Sequence, residues 1–187
     1  AIARKNVSIF AELISEKTPL LGIEPSAILS FRDEYPKLVA ENEREKAKIL
    51  GENCLMIEEF LAKEMEKGHI SADLFTKKAK NIKLHGHCHQ KSLSSVSPAA
   101  FLLALPENYS VEVIPSGCCG MAGSFGYEAE HYEVSMQVGE LVLFPAVRKA
   151  SDDTIIAAAG TSCRHQIFDG TKRKALHPVE VLWEAAL

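Results

Sequence analysis

The sequence lacks the features that mark several broad classes of protein. It contains no run of about 18 apolar residues, the length that a membrane-spanning helix needs. Its first residues do not show the charged-then-apolar pattern of a signal peptide. With a net charge of −4, the chain has no basic excess that would attract nucleic acid. We therefore expect a cytoplasmic protein with no transmembrane segment and no nucleic-acid partner, whose contact with a membrane, if any, is peripheral at the inner face.

The sequence also lacks the even set of cysteines that a disulfide framework requires. Five cysteines are an odd number, and without a secretory signal they favour thiolate chemistry or metal ligation in a reducing compartment. At 187 residues and 47% apolar content, the chain is long enough for one domain, or one and a half, with a real core. It begins in helix-like sequence without an initiator methionine, and we expect it to be a fragment of something larger.

Two of the cysteines are adjacent, in the glycine-rich segment 115–126. Cys118 and Cys119 lie among four glycines, at positions 117, 120, 123 and 126. Neighbouring Cα atoms are about 3.8 Å apart, whereas a relaxed disulfide needs roughly 5.5–6 Å, so the two thiols are poor partners for each other. Glycine suits backbone that turns with positive φ or passes close to a ligand. The pair is therefore interpreted as ligands to a metal or an iron–sulfur centre.

The hydrophobic pattern predicts an α/β fold with a mostly parallel central sheet and helices on both faces. Short apolar strands alternate with helical segments, and the strands are apolar on both faces. The predicted strands are 20–23, 82–85, 110–114 and 154–159. The longest predicted helix covers about 43–67, with Leu50, Cys54, Ile57 and Leu61 on its apolar stripe. Cys54 is therefore expected to be a small buried hydrophobic residue.

The other four cysteines share one position relative to the predicted strands. Cys88, the pair Cys118 and Cys119, and Cys163 each lie just past the carboxyl end of a strand. Ligands of open α/β sheets bind at that edge. Thiolates are soft ligands that suit iron–sulfur clusters and zinc. We therefore predict one ligand site at the carboxyl edge, made by the loops after the second, third and fourth strands.

Histidines near these cysteines add nitrogen donors. His165 lies two residues after Cys163 and is the best nitrogen-ligand candidate. His85, His87 and His89 alternate along a predicted strand end, so that they share a face and Cys88 points the other way. At most one or two of them could join Cys88 at a metal, and His89 is the second nitrogen candidate.

Two other chemistries are weaker interpretations of the same residues. A nucleophile–base pair from Cys88 and His89, or from Cys163 and His165, would leave the adjacent cysteines unexplained. The glycine loop lacks the Gly-Lys-Ser/Thr of a P-loop, and its spacing misses the dinucleotide-binding fingerprint.

The cysteines fall in three strings that together are similar to one known family. The strings are His87-Cys88-His89-Gln90-Lys91, Gly117-Cys118-Cys119-Gly120-Met121-Ala122-Gly123-Ser124-Phe125-Gly126 and Gly160-Thr161-Ser162-Cys163-Arg164-His165-Gln166. They resemble the cysteine-rich CCG domain, which occurs in the B subunit of heterodisulfide reductase and in the iron–sulfur subunits of glycolate oxidase and anaerobic glycerol-3-phosphate dehydrogenase. They look most like the C-terminal region of fused FAD-linked oxidases of the D-lactate dehydrogenase type.

The resemblance implies a role in electron transfer. The chain would be the C-terminal part of an FAD-linked dehydrogenase that oxidises a D-2-hydroxy acid such as D-lactate or glycolate, and alone it would be inactive. FAD and ferredoxin-like domains would lie upstream in the same polypeptide, and a quinone or another acceptor would receive the electrons. Cys88, Cys118, Cys119 and Cys163 would bind an iron–sulfur cluster such as 4Fe-4S, with His165 and His89 completing or tuning it. A structural zinc module and a thiol–disulfide reductase of the heterodisulfide reductase type remain the alternatives.

Two departures from the family pattern affect this expectation. The family motif commonly ends in Cys-x-x-Cys, whereas Gln166 stands at the second cysteine position here. The family usually holds two such units, and Ala27 stands where the first unit of the fused oxidases has a cysteine. We expect 1–40 to be the tail of a first unit, 41–80 a long helix and linker, and 81–187 a complete second unit.

Overall fold

A computed structural model describes residues 1–187. The strands, in chain order, are β1 Leu20–Gly22, β2 Cys54–Met56, β3 Lys80–His85, β4 Tyr109–Val113, β5 Ile155–Ala158 and β6 Ala175–Leu176. The helices are α1 Ile2–Phe10, α2 Pro25–Ile28, α3 Glu34–Leu38, α4 Arg44–Glu52, α5 Ile57–Glu66, α6 Cys88–Leu93, α7 Ser97–Leu103, α8 Tyr132–Leu141, α9 Leu143–Arg148, α10 Thr161–Thr171 and α11 Pro178–Ala185. None of these helices combines the length and the apolar character that crossing a membrane requires.

The main sheet has four parallel strands in the order β4-β3-β5-β6. Neighbouring residues of a strand face opposite sides, so that Ile156 packs with the core under α9 and α10 while Ala157 packs with the core under α7 and α11. Both faces are therefore covered, as the apolar strands predict. The expected α/β class with a parallel sheet between helices is confirmed.

The predicted single helix over 43–67 is wrong. The chain leaves helix α4 at Asn53 and forms strand β2, which pairs in parallel with β1 through Leu20 and Cys54. A stripe at helical spacing cannot reveal this, because the backbone of 54–56 bonds to a strand more than thirty residues away. Cys54 is nevertheless completely buried, as expected, and burial raises its pKa to about 12.

The apolar spacing of 128–144 predicts a single helix with Val134 and Leu141 on one face, and this helix also differs in the structure. It divides into α8 and α9 at Val142, and the residues that α8 turns inward are small, Ser135 and Gly139. Val134 and Leu141, which the sequence pattern places on the buried face, are exposed. The reason is close packing: a Cβ on Gly139 would lie 2.3 Å from the Phe144 ring.

The N-terminal strands repeat the arrangement of the C-terminal ones. The pair β1–β2 and the pair β5–β6 are both parallel, and the second strand of each leads directly into a helix. Both helices begin with a carboxylate that accepts the N–H of the residue before the helix, from Met56 to Glu59 and from His177 to Glu180. The boundaries at residues 40 and 80 stay predictions.

The two strand pairs are joined at the site edge. Glu24 accepts a hydrogen bond from the Thr161 N–H (2.8 Å), at the first residue of α10. His177 Nδ1 accepts the Val179 N–H, so Nε2 carries the proton and donates to the Ile23 carbonyl (3.0 Å).

Glu58 is a buried carboxyl group in this junction. It is 1% exposed, its Oε1 makes no hydrogen bond, and His177 Nε2 lies 3.6 Å away. Burial raises the pKa of Glu58 to about 7, with the charges of Glu59 and Glu24 acting in the same direction. Burial lowers the pKa of His177, which keeps this neighbour neutral and unable to compensate a Glu58 carboxylate.

We expect Glu58→Gln to stabilise the fold above pH 7 and to leave it unchanged at pH 4. The folded state holds the Glu58 proton up to about pH 7, whereas the unfolded chain releases it near 4.5, so the stability that this group contributes is lost as pH rises between these values. The difference from the parent protein should reach roughly 3 kcal/mol at pH 8. Urea unfolding across this pH range measures it. The exposed Glu66→Gln, on the same helix, is the matched control for the loss of one carboxyl group.

Candidate metal centre

The segments that follow β3, β4 and β5 bring four cysteines to one place. The sulfur atoms contact one another in series, from Cys88 to Cys118, from Cys118 to Cys119 and from Cys119 to Cys163. All are free thiols; Cys119 and Cys163 are buried, Cys118 is half-buried and Cys88 is exposed. The site therefore runs from the protein interior to its surface.

Cys88 is positioned by the start of a helix, not by a loop as predicted. His87 caps α6: its Nδ1 accepts the His89 N–H (3.2 Å), and its own N–H donates to Gln90 (3.4 Å). The predicted alternation of His85, His87 and His89 along a strand is therefore wrong, because the chain is already turning into a helix at Cys88. Histidine is an unusual residue for this position, where Ser, Thr, Asp and Asn dominate.

The turn after Cys119 depends on Gly120. This residue has φ +102°, and a Cβ here would lie 2.1 Å from the Ser135 carbonyl oxygen. Its N–H donates to the Cys118 sulfur (3.3 Å). Positive φ and the close backbone approach both require glycine.

Two buried side chains hold this turn against α8 and α10. Ser135 Oγ donates to the Gly120 carbonyl (2.9 Å), and Gln166 Nε2 donates to the Ser135 carbonyl (3.1 Å) and to its Oγ (2.9 Å). Ser135 and Gln166 are 0% and 1% exposed. Gln166, which stands at the position of the second cysteine in the resembled family, therefore supports the loop and offers no donor to the thiols.

Lys91 is the cation of the site. Its Nζ donates to the carbonyls of Ser116 (2.5 Å) and Gly117 (2.7 Å), so that it connects α6 to the loop before the cysteine pair. Burial lowers the pKa of Lys91, and the four thiol groups nearby act to raise it. A positive charge here offsets the negative charge of thiolates.

The four thiols shift one another's pKa values because they lie close together. The pKa of Cys163 is lowered, chiefly by the neighbouring Cys119; burial opposes this and His85 assists it. Cys119 and Cys88 lower the pKa of Cys118, whereas the pKa values of Cys88 and Cys119 themselves are raised. The thiols therefore do not ionise independently, and a cationic metal would favour their thiolate forms.

The two histidines proposed from the sequence do not join the thiols. His165 is exposed, and its Nδ1 bonds to the Tyr127 hydroxyl (2.7 Å). Residues 163 and 165 are two apart on α10, which separates them by about 200° around the helix, so Cys163 and His165 face opposite ways. The His89 Nε2 lies 3.8 Å from Glu34.

His85 is the histidine that the structure does bring to the cysteines. It is completely buried at the end of β3, and its Nδ1 bonds to Ser116 Oγ (2.7 Å). One ring nitrogen and the sulfur atoms of Cys119 and Cys163 all lie within 4.8 Å of one another. The sequence signal was its place as the last residue of the central strand, at the same edge as the thiols.

The donor set fits a soft metal. Zinc binds thiolate at about 2.3 Å and imidazole at about 2.0–2.1 Å, which ligand atoms within 4.8 Å of one another can reach around one ion. Four cysteines in contact could equally hold an iron–sulfur cluster. These donors could therefore hold a metal, either as a single ion or as a cluster.

Comparison with known proteins identifies relatives among dehydrogenases. The chain is 30% identical to D-2-hydroxyglutarate dehydrogenase of Escherichia coli K12 over 97% of its own length and 17% of that protein. It is 27% identical to the Pseudomonas putida protein of the same name. It is also 25% identical to one component of the anaerobic glycerol-3-phosphate dehydrogenase of E. coli K12, and it covers 44% of that polypeptide. The chain thus spans less than half of each of these relatives. No protein-family model and no solved structure matches it.

We expect Gly120→Ala to destabilise the protein by about 2–4 kcal/mol, because the new methyl group would meet the Ser135 carbonyl. Gly123→Ala is the matched control for backbone strain alone: φ is +70° but nothing lies within 4 Å, so about 1 kcal/mol is expected. Gly117→Ala, with neither feature, should change the free energy of unfolding by less than about 0.5 kcal/mol. Urea unfolding under reducing conditions gives the three values, and equal losses would contradict the assigned packing.

Proposed function

We propose that this chain is an iron–sulfur electron-transfer region of an FAD-linked dehydrogenase that oxidises a D-2-hydroxy acid. The observation that carries the proposal is the contact of four cysteines at the carboxyl edge of one parallel sheet. Its relatives carry the names of dehydrogenases, and a cysteine-lined site in such a protein suits one-electron transfer.

The names of the relatives suggest that this segment does not determine the substrate. Similar segments occur in a D-2-hydroxyglutarate dehydrogenase and in a component of a glycerol-3-phosphate dehydrogenase. These substrates differ, whereas removal of electrons is common to both reactions. We therefore assign substrate oxidation to a flavin bound outside residues 1–187, and electron transfer to this chain. Several relatives named for D-2-hydroxyglutarate favour a dicarboxylic hydroxy acid over the D-lactate or glycolate expected from the sequence.

Cys88, Cys118, Cys119 and Cys163 are the residues proposed to hold the cluster, which when bound would accept electrons one at a time. The chain's own groups set the charge around it. The N–H group of Gly120 donates to the Cys118 sulfur, and the Lys91 ammonium lies beside the same loop. Donors to sulfur stabilise the reduced, more negative state and raise the reduction potential.

A structural zinc site is the second candidate. The compact group of His85, Cys119 and Cys163, all buried, favours it, because a single tetrahedral ion needs donors this close. Such a site would contribute to folding and transfer no electrons.

Metal analysis after anaerobic purification tests the proposal. We expect a coloured protein with iron and acid-labile sulfide, and loss of most iron in the Cys119→Ser and Cys163→Ser variants. The fifth cysteine gives the control: Cys54 packs in a separate core cluster with Val7 and Leu50, so Cys54→Ala should keep full iron content. A colourless protein with one zinc per chain, or full iron content in Cys119→Ser, would contradict the proposal.

A further inference from the structure

One ring nitrogen of His85 is buried without a hydrogen-bond partner, whereas most buried polar atoms in proteins have one. The side chain is 0% exposed, and its Nδ1 bonds to Ser116. Its Nε2 has no hydrogen-bond partner. Leaving a buried polar atom without a partner costs about 1–3 kcal/mol. A bound metal would remove this cost by accepting the lone pair of the nitrogen.

The His85 imidazole lies beside the thiols. One of its ring nitrogens lies within 4.8 Å of the sulfur atoms of Cys119 and Cys163. Since Nδ1 is bonded to Ser116 Oγ, Nε2 is the nitrogen with a lone pair left for a metal when Nδ1 carries the proton. Histidines that bind metals are usually oriented in this way, with the second nitrogen bonded to a neighbouring oxygen.

His87, the other buried histidine nearby, has the opposite arrangement. Its Nδ1 accepts the His89 N–H, which places the proton on Nε2. The ring packs against the start of α10, where a Cβ on Gly160 would lie 2.4 Å from its Cδ2. A protonated nitrogen cannot bind a metal, so His87 is a helix cap and a packing residue.

We infer that His85 Nε2 is a metal ligand of this centre, together with Cys119 and Cys163. The inference rests on the proposed function in one respect, that a metal or cluster binds at these thiols. Gln166, the residue three positions after Cys163, has its amide nitrogen bonded to Ser135 instead. Exchange of a thiolate for a neutral imidazole removes one negative charge, which raises the reduction potential.

The test uses the anaerobically purified protein with ¹⁵N-labelled histidine. Pulsed electron paramagnetic resonance of the reduced centre should show coupling to a histidine nitrogen. The coupling should disappear in His85→Gln and remain in His165→Gln, the matched control on the exposed side of α10. Coupling that persists in His85→Gln, or that vanishes only in His165→Gln, would overturn the assignment.

Two further measurements test the role of His85 if the His85→Gln variant loses its metal. His85→Cys restores a ligand, so it should hold the centre without nitrogen coupling and with a lower reduction potential; failure to restore the centre would overturn the inference. If the parent protein contains zinc, X-ray absorption should show one nitrogen among the sulfur ligands.

These outcomes separate the two proposals. Iron and sulfide with sulfur ligands alone would refute the role of His85 and leave the proposed function standing. Zinc with a nitrogen ligand that is lost in His85→Gln would refute electron transfer and support His85. A parent protein with neither metal would refute both.

Discussion

Parallel alignment of β3, β4 and β5 is the constraint on which the site depends. The register pairs Leu84 of the central strand with Val113 on one side and with Ala157 on the other, so the three strands end nearly level. Parallel strands need long crossover connections, and here these are helices that cover the two faces of the sheet. The segments that follow the strands are left free to carry thiols: Cys88 and Cys163 lie in the first turns of α6 and α10, and Cys118 and Cys119 lie in the loop after β4. A slip of two residues would move a strand by about 6.6 Å, which is enough to separate Cys88 from Cys118.

Small and polar residues then fix the detailed position of the sulfur atoms. Gly120 lets the backbone of the cysteine loop touch α8, and Ser135 and Gln166 satisfy the polar groups that this contact buries. Each buried donor or acceptor left without a partner would cost about 1–3 kcal/mol, so these bonds hold the loop in one conformation. Such rigidity suits a site that must present several ligands at fixed distances.

The parts of the structure that follow from local pattern are predictable, and those that depend on distant contacts are not. Four of the six strands, and the place of the cysteines after three of them, follow from apolar runs and glycines. Strand β2 is not visible in the sequence because its pairing with β1 overrides a helical pattern. His165 is close to Cys163 in sequence but not in space, because helical geometry turns it about 200° away. Only the contact with Ser116 shows which way His85 points.

The N-terminal unit also takes part in the electrostatics of the site. Cys163 lies in the first turn of α10, where the helix dipole favours a thiolate. The Glu24 carboxylate binds the first N–H of that helix, and although burial raises its pKa, the hydrogen bonds from Thr161 and Ser26 outweigh this and lower the pKa overall. It therefore remains ionised and places a negative charge at the same helix end. The dipole and the carboxylate act on Cys163 in opposite directions, so the charge balance at this thiol depends on a residue that lies 139 positions earlier in the chain.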